Sequence, residues 1–188
     1  MNKRLFIGVP IQSERAVRFE MQWRNNPELN INRINWTKPE NWHMTLFFLG
    51  DTPVSRIGLL EQLIEQSFTE ITTFQTELNG VGLFPDARHA KVMWIGMENV
   101  EPLLLPRTQL VELLQENEIN IDNKPLKPHL TIARIKQITN QESIQSWFQE
   151  YRKLKFGTIK IDRIVLYESV LMPGGPEYRP VFQCILKD

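Results

Sequence analysis

Apolar residues recur along this chain with two alternating periods. Arg4–Pro10 (RLFIGVP) is a short run of β character. Ser13–Arg24 (SERAVRFEMQWR) then places Ala16, Phe19 and Trp23, with Val17 and Met21, at helical spacing, and Ser13 is suited to cap that helix. Asn41–Gly50 (NWHMTLFFLG) returns to a strand pattern. Ser55–Phe68 is helical again through Ile57, Leu60, Leu63, Ile64 and Phe68, with Ser55 as the expected cap, and FQTELNGVGLF follows as a strand.

The same succession starts afresh at Lys91. KVMWIGM reads as a strand, and PRTQLVELLQEN as a helix with Leu110, Leu113 and Leu114 on one face and Pro106 in its first turn. KPHLTIARIK (127–136) is a strand, and QESIQSWFQEYRK a helix facing inward through Ile144, Trp147, Phe148 and Tyr151. FGTIKIDRIVLYES closes the series with strand positions broken near Asp162 and Arg163. Residues 1–88 and 89–188 therefore share one element order, although residue identity between them is slight. The expectation is an α+β fold: a single bilobal domain, internally duplicated as strand-helix-strand-helix-strand units, with pseudo-twofold symmetry and a central cleft. VFQCILKD should add a last strand to a sheet, and MPGGPEYRP before it carries turn chemistry.

Two of the three histidines occupy the same setting in this repeat: His43-Met44-Thr45-Leu46 and His129-Leu130-Thr131-Ile132. Side chains two apart on a strand share a face, about 7 Å apart. His43 and Thr45 thus project together, while Met44, Leu46 and Phe48 are expected on the opposite, core face. His129 and Thr131 pair in the same way. A lone histidine on an amphipathic strand is more often structural than catalytic. Two H-x-T copies among three histidines have a chance probability on the order of one per cent. Two facing surfaces of this kind would bring together two imidazoles, able to act as acid and base near neutral pH, and two hydroxyls able to donate to phosphate oxygens. That combination suits a phosphodiester and needs no metal. Neither motif offers a carboxylate at a useful strand spacing for zinc, and no cofactor is expected.

Composition narrows the field further. Twenty-two Lys and Arg balance 22 Asp and Glu in 188 residues, which disfavours a broad basic surface for long nucleic acid while leaving room for a local phosphate site. The single cysteine, Cys184, cannot pair within the chain and reads as a small core residue in an apolar strand. The apolar run Leu5–Val9 ends at Pro10, too short for a secretory signal, and no run approaches a membrane span. A cytoplasmic, monomeric protein without an obligate partner is expected.

HMTL at 43–46 and HLTI at 129–132 resemble the motifs of the two-histidine (2H) phosphoesterases. RLFIGVP, WTKPENWHMTLFFLG, FPDARHAKVMWIG and KPHLTIAR, in that order, resemble the RNA 2′,3′-cyclic phosphodiesterase (2′-5′ RNA ligase-like) branch over nearly the whole chain. The resemblance implies a bilobal α+β fold and metal-independent hydrolysis of a terminal 2′,3′-cyclic phosphate to a 2′-phosphomonoester. It implies His43 as general acid on the departing 3′ oxygen, His129 as general base toward water, and Thr45 and Thr131 as holders of the phosphate oxygens. It also implies Arg134 as a substrate-binding residue. Strict alternation puts Arg134 on the face opposite His129, so reaching the cleft requires the strand to end or bulge after Thr131.

RNA 3′ ends or small cyclic nucleotides are the expected substrates. Joining of 2′-5′ linkages and a noncatalytic RNA-end-binding module remain as alternatives. Trp36, Trp42 and Phe47 are candidates for base stacking as well as for the core. His89 is expected on a surface turn, and Lys127 in solvent.

Overall fold

The computed structural model describes residues 1–121, 124–173 and 175–188. Nine strands and five α-helices follow one another among them. These are β1 (Asn2–Pro10), α1 (Glu14–Arg24), α2 (Pro27–Asn30), β2 (Arg33–Trp36), β3 (His43–Pro53), α3 (Ile57–Phe68), β4 (Phe74–Phe84), β5 (Val92–Glu98), α4 (Leu104–Glu116), β6 (His129–Gln137), α5 (Gln141–Tyr151), β7 (Lys155–Ile161), β8 (Arg163–Met172) and β9 (Gly175–Ile185). They form two sheets, in the orders β3-β1-β8-β9 and β2-β6-β5-β4-β7. Every named strand pair is antiparallel. The fold is α+β.

The strand order has a consistent logic. β1 pairs with β3 in one sheet, and β5 with β6 in the other. The chain then crosses over: β4 joins β5, while β8 joins β1. Each sheet is thereby closed by a strand from the opposite half of the sequence. Neither half could complete its sheet alone.

Helix starts follow the capping chemistry in most places. Ser13 accepts from the Ala16 amide at 3.2 Å, and Asn140 accepts from Ser143 at 3.1 Å to begin α5. Ser55 does not cap α3; it lies inside a 3₁₀ turn at 54–56, and no side chain caps the helix that follows. The proline-rich stretch MPGGPEYRP is also not a long loop. Pro173 is in a turn, Gly174 lies outside the described residues, and Gly175–Pro180 already belong to β9. Both Pro176 and Pro180 lie on β9, an edge strand with a partner on one side only, the setting in which a sheet accommodates proline.

β2 and α2 lie between α1 and β3, where no element was expected. Buried Asn32 holds this segment: its amide donates to Ser143 Oγ at 2.8 Å, and its carbonyl oxygen accepts from Thr139 and Asn140, each at 2.9 Å. One side chain thus ties the entry of β2 to the start of α5. The core runs through both sheets and includes Ile7, Met44, Phe47, Leu60, Ile95, Leu130, Ile132 and Trp147. Cys184 is buried within it. Among the described residues no helix is long and apolar enough to cross a membrane.

Candidate active site

β3 and β6 pack against one another across the two sheets, and His129 lies close enough to act electrostatically on His43, so the two H-x-T segments are neighbours. His43, Thr45, His129 and Thr131 are all half-buried, whereas Met44, Leu46, Leu130 and Ile132 are buried. The alternation that keeps the apolar residues in the core puts the polar ones on the shared face.

Both imidazoles are oriented alike. Nδ1 of His43 lies 2.7 Å from the Asn41 carbonyl oxygen, and Nδ1 of His129 lies 2.5 Å from that of Lys127. A carbonyl only accepts, so each Nδ1 carries the proton and donates it. In the neutral ring, the Nε2 lone pair is then left free for a ligand. The same i to i−2 bond fixes ring orientation and tautomer in both motifs.

Removal from water disfavours the charged form of both rings. His43 is lowered to about 4, first by burial, against the pull of its Asn41 hydrogen bond, and further by the charges of His129 and Arg134. His129 is lowered too, again chiefly by burial, with the Lys127 carbonyl opposing and Arg134 and Lys127 adding to the shift. The two rings therefore lie within each other's field, and Arg134 acts on both. Neither threonine hydroxyl has a hydrogen-bond partner among the described residues, which leaves both free to donate to a ligand.

Each motif is followed by a bulge. Gly8 faces Thr45 while Ile7 faces Phe47, so Leu46 is the extra residue in β3. Trp94 faces Thr131 while Met93 faces Ala133, so Ile132 is the extra residue in β6. The amide of Thr37 donates to the carbonyl of this bulged Ile132 at 2.8 Å. An inserted residue reverses the facing of everything beyond it. Arg134 consequently returns to the side of His129 and Thr131, exposed and without a hydrogen bond or ion pair among the described residues.

The bulge in β3 overturns one expectation. Phe48 does not join Met44 and Leu46 in the core; it is 62% exposed and 6.2 Å from the Phe6 ring. Phe47 takes the inward place instead, 2% exposed, with the Arg107 guanidinium over its ring. Trp42 is likewise core, and Trp36 packs partly buried against it. Of the three aromatic residues considered for base stacking, Trp42 and Phe47 are thus taken up by the core, while Trp36 keeps part of its surface exposed.

Other aromatic residues surround the histidines. Around His43 are Phe6 at 4.7 Å, Tyr178 at 5.0 Å edge-on and Tyr167 at 6.0 Å between ring centroids. Around His129 are Phe84 at 5.1 Å and Trp94 at 6.2 Å. A signal for two of these was present in the sequence: Phe6-Ile7-Gly8 and Trp94-Ile95-Gly96 each put an aromatic residue two before a glycine, on the strand beside an H-x-T strand. Gly8 is required for space, since a Cβ there would lie 2.9 Å from the Met44 carbonyl oxygen and 3.4 Å from His43 Cδ2.

Burial raises Tyr167 to about 12, so it stays a neutral phenol. Tyr178 is raised by burial as well, with Arg134 and Arg4 pulling it down. That hairpin residue thus sits between the charges of both sheets. Asn41 anchors the hairpin by donating to the Pro176 carbonyl at 2.9 Å, while its own carbonyl orients His43.

Lys127 is exposed, with Nζ 5.7 Å from the Phe84 ring centre. His89 is on an exposed turn beside Asp86. Among the described residues no group of three or more His, Cys, Asp or Glu side chains could hold a metal ion. A hollow of about 470 Å³ at the start of α1 and one of about 550 Å³ beside Arg134 include neither histidine of the pair. The candidate site is marked by its chemistry rather than by depth.

Two antiparallel sheets that meet through their H-x-T strands, β3 in one and β6 in the other, make up this fold. A Thermus thermophilus protein of solved crystal structure superposes with a TM-score of 0.78 at 28% identity, covering 98% of either chain. The family profile described as "AKAP7 2'5' RNA ligase-like domain" matches residues 6–173, and the chain belongs to this family. An Aquifex aeolicus protein named RNA 2′,3′-cyclic phosphodiesterase is 34% identical over 78% of this chain and 78% of its own length. A Methanocaldococcus jannaschii protein of the same name is 28% identical over 95% of this chain and 98% of its own.

Proposed function

We propose that this protein hydrolyses the 2′,3′-cyclic phosphate at RNA 3′ ends to a 2′-phosphomonoester, using its own side chains as acid and base. The observation that carries this reading is the matched pair of imidazoles. Each is held at Nδ1 by the carbonyl two residues before it, and each lies within the other's electrostatic field. Family membership and the named relatives support the substrate class.

In the proposed reaction, His129 Nε2 takes a proton from water as its oxygen attacks phosphorus. The P–O3′ bond breaks, and His43, protonated at Nε2, gives that proton to the leaving O3′. His129 ends protonated and His43 neutral; exchange with solvent restores both. Thr45 and Thr131 donate to the non-bridging oxygens as charge builds there, and Arg134 supplies the positive charge nearby. Phe48, left exposed by its bulge, offers a face on which the terminal base can stack.

A pKa of about 4 would leave His43 unprotonated at neutral pH in the empty site. A bound phosphate anion changes this, because an opposite charge within a few ångströms favours the imidazolium. The substrate itself thus prepares its acid.

The test is incubation with an oligoribonucleotide ending in a 2′,3′-cyclic phosphate, with and without EDTA, followed by product analysis. A 2′-phosphomonoester formed equally in both is expected. A lengthened chain would replace the hydrolase with a ligase, and loss of turnover in EDTA would require a metal.

A further inference from the structure

We propose that the hollow beside Arg134 is a second phosphate site, which holds the backbone of single-stranded RNA upstream of the reacting end. This deepens the hydrolase reading and rests on it for the identity of the strand. The hollow encloses about 550 Å³ and is lined by His89, Lys91, Val92, Arg134, Lys136 and Gln137, among others, with no carboxylate in its lining. Lys91, Arg134 and Lys136 are exposed, and none has an ion pair or hydrogen bond from its side chain among the described residues. In a chain of zero formal charge, three unneutralised cations around one concavity are an anion site by composition.

Asp86, the carboxylate in the turn that carries His89, is already engaged. It accepts from the amides of Arg88 at 2.7 Å and His89 at 2.9 Å and stands 3.3 Å from His89 Nδ1. Those bonds shape the turn that carries His89 to the rim. The turn is held from behind by Gln141 on α5, whose amide donates to the Ala87 carbonyl.

Position makes the ligand a strand rather than a free ion. Arg134 acts electrostatically on both catalytic histidines and also lines the hollow. One guanidinium therefore belongs to the reacting phosphate's surroundings and to the rim of the second site. Lys136 lies two residues further along β6, about 7 Å on, a step comparable to that between neighbouring phosphates of an extended single strand. A cyclic mononucleotide ends before it could reach Lys91 or Lys136, but an oligonucleotide does not.

The experiment compares wild type with the K91Q/K136Q double variant, which leaves Arg134 in place, on a 2′,3′-cyclic mononucleotide and on a hexaribonucleotide ending in the same cyclic phosphate. Hydrolysis of the hexamer should fall about tenfold in kcat/KM. Its plot of log kcat/KM against log salt should flatten by about 1.4, for two lost single-strand phosphate contacts. Turnover of the mononucleotide should stay within about twofold, which also shows that the variant is folded. Equal losses on the two substrates, or none on the hexamer, overturn the second site.

A binding arm uses a fluorescent hexaribonucleotide with an ordinary 3′ hydroxyl and needs no catalysis. Weaker binding by the variant upholds the site, and unchanged binding overturns it. If wild type hydrolyses neither substrate, the hydrolase reading fails, and this arm still decides the second site.

Discussion

The two H-x-T strands share their local geometry and differ in almost everything around it. In both, Nδ1 of the histidine is held by the carbonyl two residues back, and one extra residue after the threonine re-aims the strand. Yet Thr45 faces Gly8, whereas Thr131 faces Trp94. Beyond the bulge the first strand presents Phe48 and the second Arg134, each five residues after its histidine. His43 has an aromatic wall of Phe6, Tyr167 and Tyr178, His129 one of Phe84 and Trp94; Arg134 reaches both rings, and Lys127 adds its charge at His129. What is common holds an imidazole in one tautomer; what differs sets its charge and its neighbour. Two motifs of like geometry can in this way serve the proposed reaction, whose two proton transfers run in opposite directions.

Removing the imidazoles should give the largest effects. His43→Ala and His129→Ala are each expected to lower kcat by about 10²–10⁴-fold. A substrate with a nitrophenolate leaving group separates them, because it departs without a proton. His43→Ala should lose far less on that substrate than on the RNA end, and His129→Ala should lose the same on both. Equal behaviour of the two variants would falsify the division of labour.

The residues beyond the bulges come next. Arg134→Gln removes a charge-assisted contact worth about 1.5–3 kcal/mol, so kcat/KM should drop roughly 10- to 100-fold. Phe48→Ala should instead raise KM by about fivefold or more, from loss of base stacking at about 1–3 kcal/mol, with kcat unchanged. Should Phe48→Ala lower kcat and spare KM, the stacking role would be wrong.

Gly8 tests the contrast in what each threonine faces. A methyl group there meets the Met44 carbonyl oxygen at 2.9 Å, and overpacking of this kind costs about 1–3 kcal/mol. Gly8→Ala is expected to lower stability by that amount in urea denaturation and to slow turnover through displaced His43. Full stability with full activity would mean that β1 yields freely at this point.

Much of this arrangement was legible in the chain because it depends on short-range patterns. Helical spacing located α1, α3, α4 and α5, and period two put His43 with Thr45 and His129 with Thr131 on their respective faces. Bulges are different, since they exist only relative to a partner strand. Nothing in LFFLG says that Leu46 is the extra residue, so Phe47 and Phe48 exchanged their expected sides. Arg134 was the exception, because the requirement for a bulge could be stated from the conflict between its spacing and its implied role. β2 is only four residues long and takes its place from Asn32 and its bonds to residues more than 100 positions away. The hairpin at Pro173 was hidden by prolines that an edge strand accommodates and a central one does not.

The smallest effect distinguishes the two histidines without any substrate. In the folded protein His43 titrates at about 4, below the ordinary 6.5, so the unfolded chain takes up its proton first. As pH falls from 6.5 toward 4, the unfolded state binds more protons at this site and folding stability decreases. The contribution is complete above pH 6.5 and is lost as pH drops through the folded value. His43→Ala lacks this dependence, so its stability should decline less steeply than wild type between pH 6.5 and 4 in parallel denaturation curves. His129 is also lowered and should contribute in the same direction. Inorganic phosphate sharpens the comparison: an anion bound between the rings raises both pKa values, so it should flatten the wild-type slope. It should leave that of the His43→Ala, His129→Ala double variant unchanged. A slope identical in wild type and His43→Ala would mean that His43 is solvated enough to titrate normally, and the asymmetry between the two motifs would then rest on Phe48, Arg134 and what each threonine faces.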